Sequence, residues 1–509
     1  LLLRRLPILS AILLPLLGGA AVSAAEPAGG GVFLDVMLAE LWDLEQQGHV
    51  GTYPNGKAGL AAATTSCNVG DVDVPWLEPM DEEHPFIGLA MFREENGRLE
   101  QIGKNWIKHG FFALNDSQCE TCSDPSGGGE LNVGCSDTYA AEDNGNRYFL
   151  GPREEVNPHT GAWTACGSYF DEPVIPDGDC ERSYFGGAPD GVDRRLEVKD
   201  ADLDHPGAFY YYEGMYIVAE DDDISNQIGW REIEEMVFSG GTWLFTTWIE
   251  DPGSPLEPNP GPVVETWGDL QTVEPVASDD GLAILAVKAT DLGGGTWHYD
   301  YALYNRTSAR GIRSLFVPTP GVVATNATFR DIDDDAGNDW DIVVDGSGVN
   351  WSTDQWSVDP AANALEYQTL YNFRFDAAAA PGDVNATAGI FRPGTGSSFV
   401  LATRGPSSPV AAPEVRADGP ALALVGANPF RDGTALRVGS TSESRARLSV
   451  VDVTGRAVDV LFDGIMPAGA LTLRWDGRDA AGRPASSGVY FFRLETSGGS
   501  ETTKGALLR

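Results

Sequence analysis

The chain is poor in positive charge, in histidine and in cysteine, and its only long apolar run lies in its first residues. Lysine and arginine number 34 against 75 aspartate and glutamate, for a formal net charge of −41. So acidic a chain repels phosphate backbones and anionic lipid, which excludes nucleic acid as a partner and disfavours a membrane surface. The six histidines (His49, His84, His109, His159, His205 and His298) show no two-histidine metal spacing and no HExxH. GxSxG is missing too, so there is no nucleophile elbow. Gly51-Thr52-Tyr53-Pro54-Asn55-Gly56-Lys57 begins like a phosphate loop, but Ala58 stands where a Ser or Thr would hold magnesium. After residue 17 no stretch approaches the roughly eighteen apolar residues of a membrane span, so no transmembrane segment is expected in the mature chain.

What is present is apolar and aromatic. Hydrophobic residues make up 42% of the chain, with 13 Trp, 21 Phe and 15 Tyr, which excludes a disordered chain. Length suggests about three domains. Residues 1–25 read as a signal peptide: Arg4 and Arg5 precede a mostly apolar run at 6–17, and Val22-Ser23-Ala24 or Ser23-Ala24-Ala25 supplies the cleavage triplet. That places the protein outside the cytoplasm, by way of the periplasm. All six cysteines, Cys67, Cys119, Cys122, Cys135, Cys166 and Cys180, then read as three disulfides of undetermined connectivity. Zinc on Cys119, Cys122, Cys135 and His109 is the alternative, since thiolates two residues apart can share one tetrahedral metal.

Calcium is the candidate cofactor. Asp331, Asp333, Asp335 and Asp339 alternate along one loop, as an ion with six to eight oxygen ligands requires, although Ala336 and Ile342 depart from the EF-hand pattern. Asp200, Asp202 and Asp204, and residues 220–223, are weaker versions. Trp230, Trp243, Trp248 and Trp267 could stack on sugar rings, but tryptophans spaced through strands more often fill a core. No carboxylate pair stands out as a glycosidase pair.

The expected fold is mainly β and multidomain: a disulfide-rich irregular α+β domain at 26–251, a linker at 252–262, a β-sandwich at 263–400, a linker at 401–420 and an immunoglobulin-like sandwich at 421–509. In the first domain, Phe33, Val36, Met37, Leu41 and Leu44 recur at helical spacing, predicting a helix over 33–47. A short helix is expected at 228–236. Strands are expected at 85–92 and 99–103 around the turn Glu95-Asn96-Gly97, and at 209–212, 215–218 and 242–249. Runs at 281–288, 297–304, 312–317 and 370–375 are spaced like sandwich strands, with Trp297, Tyr299, Tyr301 and Leu303 facing inward. Segments at 108–114, 150–153 and 340–376 resemble stretches of uncharacterised secreted proteins of environmental bacteria, a family with no activity to carry over.

Residues 421–509 carry 11 basic and 9 acidic side chains, so nearly all the negative charge sits upstream. Short β-branched runs alternate there with turn residues. Asn428-Pro429-Phe430, Asp452 with Gly455-Arg456, Trp475-Asp476-Gly477, Gly488 with Tyr490, and Lys504 near the end follow one another as ordered motifs. The set resembles the FlgD-type immunoglobulin-like tail, which is similar to the type A sorting domain of the type IX secretion system. That resemblance implies export across an outer membrane, with the secretion machinery as partner. The expected function is display, adhesion or binding of an extracellular ligand or surface polymer; a secreted glycosidase or peptidase with its site in residues 50–250 is the alternative.

Overall fold

Asn96 (φ 53°) and Gly97 (φ 76°) form a two-residue link between strands Phe86–Glu95 and Arg98–Lys104, whose ends Glu95 and Arg98 pair directly. Two positive φ values are what a tight hairpin matching strand twist requires, and Asn-Gly tolerates them. Local rules of this kind produce a molecule that is mainly β, here described from a computed structural model. It describes residues 33–122, 125, 127–171, 180–183, 190–247, 256–333, 335–407, 421–425, 430, 433–440 and 442–508. The expected signal peptide, residues 252–255 and 408–420 of the expected linkers, Trp248, Asn428 and Pro429 lie outside these.

Toward the N-terminus, strands Val36–Val50, Lys57–Asn68 and Leu196–Lys199 form one antiparallel sheet, with Ser136–Tyr139 also on Lys57–Asn68. A larger sheet runs through Thr242–Thr247, Ile228–Ser239, Phe209–Ile217, Phe86–Glu95, Ile107–His109 and Leu150–Gly151. Leu41, Leu60, Met91, Tyr210 and Tyr212 fill the core that these two sheets share.

Both helix expectations are corrected. Residues 36–47 belong to strand Val36–Val50, which 33–35 lead into, and 228–236 to strand Ile228–Ser239. The first strand is bulged between Leu38 and Glu40, Trp42 and Glu45, and Gln46 and Gly48, with Asp43 at φ 49°. Each extra residue resets the alternation. Its buried positions Val36, Leu38, Leu41 and Leu44 are therefore spaced two or three apart, which imitates a helical period. In the second strand an inward position is held by Arg231, which donates to the Leu41 carbonyl at 3.0 Å, so charge masks a strand face. The helices among the described residues of this α+β region are single turns such as Ala141–Asn144 and Asp200–Leu203.

Two five-stranded sheets follow. One orders Leu270–Pro275, Leu282–Gly293, Thr296–Asn305, Thr369–Ala377 and Ala324–Arg330; the other Asp341–Val344, Gly348–Ser352, Ile312–Pro318, Pro381–Ile390 and Ser398–Pro406. Tyr299, Tyr301 and Leu303 point into the core between them, as expected, and Trp297 packs half-buried at its edge. The intervening Ala302 and Tyr304 are equally buried, because they meet Phe86, Met215 and Ile217 of the N-terminal sheet. Strand Thr296–Asn305 therefore serves two cores, one on each face.

The final sheets are Ala421–Leu424, Thr434–Ser440 and Gly469–Trp475, and Ala457–Met466, Ser444–Asp452, Gly488–Thr496 and Gly499–Leu507. Leu448, Val450, Leu471, Leu473, Trp475 and Phe492 lie between them. This sandwich meets the one before it mainly through polar contacts. Asn385 and Thr387 donate to the carbonyls of Ala470 and Thr472, Ser397 to that of Val460, and Arg313 reaches Asp476 at 3.3 Å.

Candidate functional site

The seam between the N-terminal sheets and the first sandwich is held by buried polar groups. Arg153, in the one-turn segment Arg153–Glu155, donates to Asn105 O and Oδ1, Leu89 O, Tyr367 O and Gln368 Oε1. Across the seam Glu213 accepts from Tyr304, and Asn372 donates to Leu99 O. Beside Arg153 the seam opens into a cleft of about 520 Å³, within the size range of small-ligand sites. Glu154, Glu155, Trp163 and Ser168 line one wall, and Arg310, Glu366, Tyr367 and Arg392 the other.

Glu155 Oε1 accepts from the Tyr169 amide at 2.8 Å. Burial pushes its carboxyl up to about 7, while that amide and the neighbouring Trp163 indole pull it down. The Trp163 indole is thus a hydrogen-bond donor to Glu155, and Glu155 Oε2 and Trp163 Nε1 are both shut off from solvent. Trp163 is only 5% exposed. Its ring is clamped by His84, Phe86, His109 and Phe170, so the indole N–H is fixed in direction. The guanidiniums of the far wall are committed to protein acceptors. Arg392 grips Glu366 at 3.0 and 3.1 Å and donates to Ala309 O, while Arg310 donates to the carbonyls of Arg392, Thr395 and Gly396.

The six cysteines pair as Cys67–Cys119, Cys122–Cys135 and Cys166–Cys180. The zinc alternative fails on this pairing, because Cys119 and Cys122 bond to different partners. His109, its fourth ligand, is instead buried against His84, with Nδ1 2.9 Å from His84 Nε2. Burial holds both imidazoles below their usual range, His84 at about 4. Cys166–Cys180 braces the wall of the cleft at Cys166.

The acidic loop folds on itself. Asp333 accepts from the Asp335 amide and Asn338, Asp335 from the Gly337 amide, and Asp331 from Asn363 at 2.6 Å. Burial lifts Asp331 to about 6 and raises Asp339, which Asp333 and Asp335 push further. Among the described residues no group of three or more His, Cys, Asp or Glu is arranged to hold a metal ion. Trp243 and Trp267 are buried, so neither offers an open stacking face, while Trp230 is half-buried with its ring edge-on to Tyr211.

The tail motifs build turns and strand anchors. Asp452 Oδ1 accepts from the Thr454 and Arg456 amides and the Thr454 hydroxyl around Gly455 (φ 84°). Those bonds hold Asp452 down at about 2. Asp476 caps the Arg478 amide at 3.0 Å beside Gly477 (φ 75°), and Trp475 Nε1 donates to Arg478 O at 2.7 Å. Tyr490 donates to Ser486 O, Gly488 opens strand Gly488–Thr496, and Lys504 pairs with Phe491 on the last strand. Phe430 is tied to that strand by its own amide and carbonyl.

Residues 427–500 match the FlgD Ig-like domain family, so the recognition made on these motifs holds for this part of the chain. Among curated proteins none matches the chain. Solved structures include dimeric latent PorU of Porphyromonas gingivalis, 10% identical, with 92% of this chain and 34% of that one covered at a TM-score of 0.16. PorZ, described as an essential surface component of the type-IX secretion system of the same bacterium, is 12% identical over 90% of this chain and 64% of that one, at 0.15. The RrgB pilus protein of Streptococcus pneumoniae is 8% identical over 84% and 59%, at 0.19. The chain thus spans about a third of PorU and under two thirds of RrgB and PorZ, and at these scores the likenesses carry no argument.

Sequence reasoning missed the cleft. Glu155 and Trp163 sit in no recognisable motif, and the opposite wall comes from residues about two hundred positions away. The nearest signal was the stretch 150–153, singled out for resemblance alone, which contains Arg153.

Proposed function

We propose that this is a secreted or cell-surface protein with a display, adhesion or binding role, exported or anchored through its C-terminal sandwich. The observation that carries the reading is the FlgD Ig-like match at residues 427–500. The polar junction between that sandwich and its neighbour supports it, since polar interfaces within a chain resemble transient ones. Three disulfides fit an oxidising compartment. No helix among the described residues is long and apolar enough to cross a membrane. The proposed division keeps 26–251, 263–400 and 421–509 as the units, with the last addressing the first two to an outer-membrane secretion machinery. Fractionating cells that express the chain with and without 421–509 tests this: periplasmic accumulation of the truncated form supports it, and unchanged surface display refutes it.

One observation favours a second reading, a secreted hydrolase. Glu155 holds a carboxyl at about 7 in a large cleft, as a general acid working near neutrality needs. Against it, Glu366 is fully paired with Arg392 and is a poor second carboxylate. Release of new reducing ends or amines from polymeric substrates, lost in Glu155→Gln, would decide for the hydrolase.

A further inference from the structure

The strand face that meets the N-terminal sheet continues beyond its apolar residues. Ile284 and Ala286, Ala302 and Tyr304, and Leu370 fill the core there. Further along the same strands, alternate positions keep to that face and turn polar. Lys288, Asp300 and Arg374 stand opposite one another across three strands, and Thr290, His298 and Asp376 form the next row. The Asn96-Gly97 turn sits over these rows, with Lys288 donating to Gly97 O at 3.1 Å and Arg98 to Asp300 at 3.3 Å. A second, smaller cleft of about 280 Å³ lies between turn and strands.

The carboxylates of this cleft are already served. Glu100 accepts from Arg93 at 2.9 Å and from Arg98, Asp300 Oδ2 accepts from Arg98, and Glu95 lies 3.0 Å from His205. Asp300 Oδ1 is shut off from solvent. The cations have donors to spare. Lys288 has three ammonium protons and gives one to a carbonyl. Arg374 meets Glu100 only at 3.8 Å, too long for a hydrogen bond, and its side chain is 26% exposed. One acceptor is open as well. His298 donates through Nδ1 to the Asp376 carboxylate at 2.6 Å, so in the neutral ring Nε2 is left to accept. Lys288, Arg374 and His298 are all half-buried and line the open space.

We infer that this second cleft binds a small hydroxylated monoanion, its carboxylate or sulfate oxygens accepting from Lys288 and Arg374 and a hydroxyl donating to His298 Nε2. This names a ligand for the binding role proposed above and rests on that role. An oxyanion only accepts, which is what two cations with spare protons demand. A single charge fits best. Arg98, Lys288 and Arg374 balance Glu95, Glu100 and Asp300 around the space, and the second charge of a phosphate would be repelled by those three carboxylates. At about 280 Å³ the cleft falls just under the roughly 300 Å³ at which drug-sized pockets begin, so it holds one unit and not a chain. The net charge of −41 also repels a polyanion. A single acidic sugar meets all these terms. Arg98 is a positioning residue, because it ties up Glu100 and Asp300 and keeps both off the ligand's cations.

The test is isothermal titration of the purified full chain with four probes on one scaffold: glucuronate, glucose 6-sulfate, glucose 6-phosphate and glucose. At least one of the two monoanions binds, and glucose and the phosphate bind more weakly than it does. Preference between glucuronate and the sulfate assigns the oxyanion as carboxylate or sulfate ester. Lys288→Gln and Arg374→Gln each raise the Kd about 10-fold, the loss expected for one charge-assisted hydrogen bond. Lys288→Gln gives up a bond to Gly97 O, which Trp267 still supplies at 3.0 Å, so it reports even if Arg374→Gln disturbs Glu100. Binding of neither monoanion overturns the inference. So does equal affinity for glucose, tighter binding of the phosphate, or affinity unchanged in a folded Lys288→Gln. Because the purified protein is used, failure here with normal surface display leaves the export reading standing. Binding with mislocalised protein does the reverse.

Discussion

Glu213→Gln isolates the cost of burying one ionisable group at the seam. Glu213 is buried and accepts from Tyr304 at 2.6 Å, the Val263 amide at 3.2 Å and Gln368 at 3.3 Å. Burial moves its carboxyl from 4.5 up to about 7, against the pull of those donors and Arg306. The folded protein thus holds this proton more tightly than the unfolded chain. Its contribution to stability is fully present below 4.5 and is lost as pH rises through about 7. From about pH 5 to about pH 8 that loss comes to roughly 2 kcal/mol. Glutamine does not ionise, so the variant escapes it. Near pH 5 the two proteins differ little: the amide nitrogen faces the Val263 N–H at a cost of about 1 kcal/mol, which offsets the small ionisation penalty that remains. Toward pH 8 the variant becomes the more stable. Urea unfolding followed by tryptophan fluorescence at several pH values measures the difference. If the two pH profiles run parallel, Glu213 does not carry its proton as its surroundings demand, and the reasoning fails.

Arg153→Met removes the donor to five oxygens at the same seam while keeping most of the side-chain volume. It should cost about 3–5 kcal/mol of unfolding free energy, because buried acceptors are left unpaired; a loss under about 1 kcal/mol in urea unfolding would show that water takes over its bonds. Reduction of the three disulfides should lower the thermal midpoint sharply, each bridge contributing roughly 2–5 kcal/mol. EDTA should leave that midpoint where it is; the opposite pattern would restore the zinc alternative.

The C-terminal sandwich was legible because its signals are local. Asp452, Gly455 and Arg456 close one turn within five residues, and Trp475 bonds Arg478 only three positions on. Strand Leu282–Gly293 and its neighbour Thr296–Asn305 were visible for a related reason, since one face alternates cleanly into the core. Residues 33–47 were misread because bulges are set by partners, here Lys57–Asn68, and leave no mark of their own on the bulged strand. The cleft lies at the far end of this scale. Trp163 is oriented by His84 and His109, Glu155 is raised by burial, and the opposite wall arrives with Glu366 and Arg392. None of these causes has a spacing in the sequence, for each depends on how two sheets stack. The tail is built from signals within a few residues of one another, whereas the cleft belongs to a seam that exists only after folding.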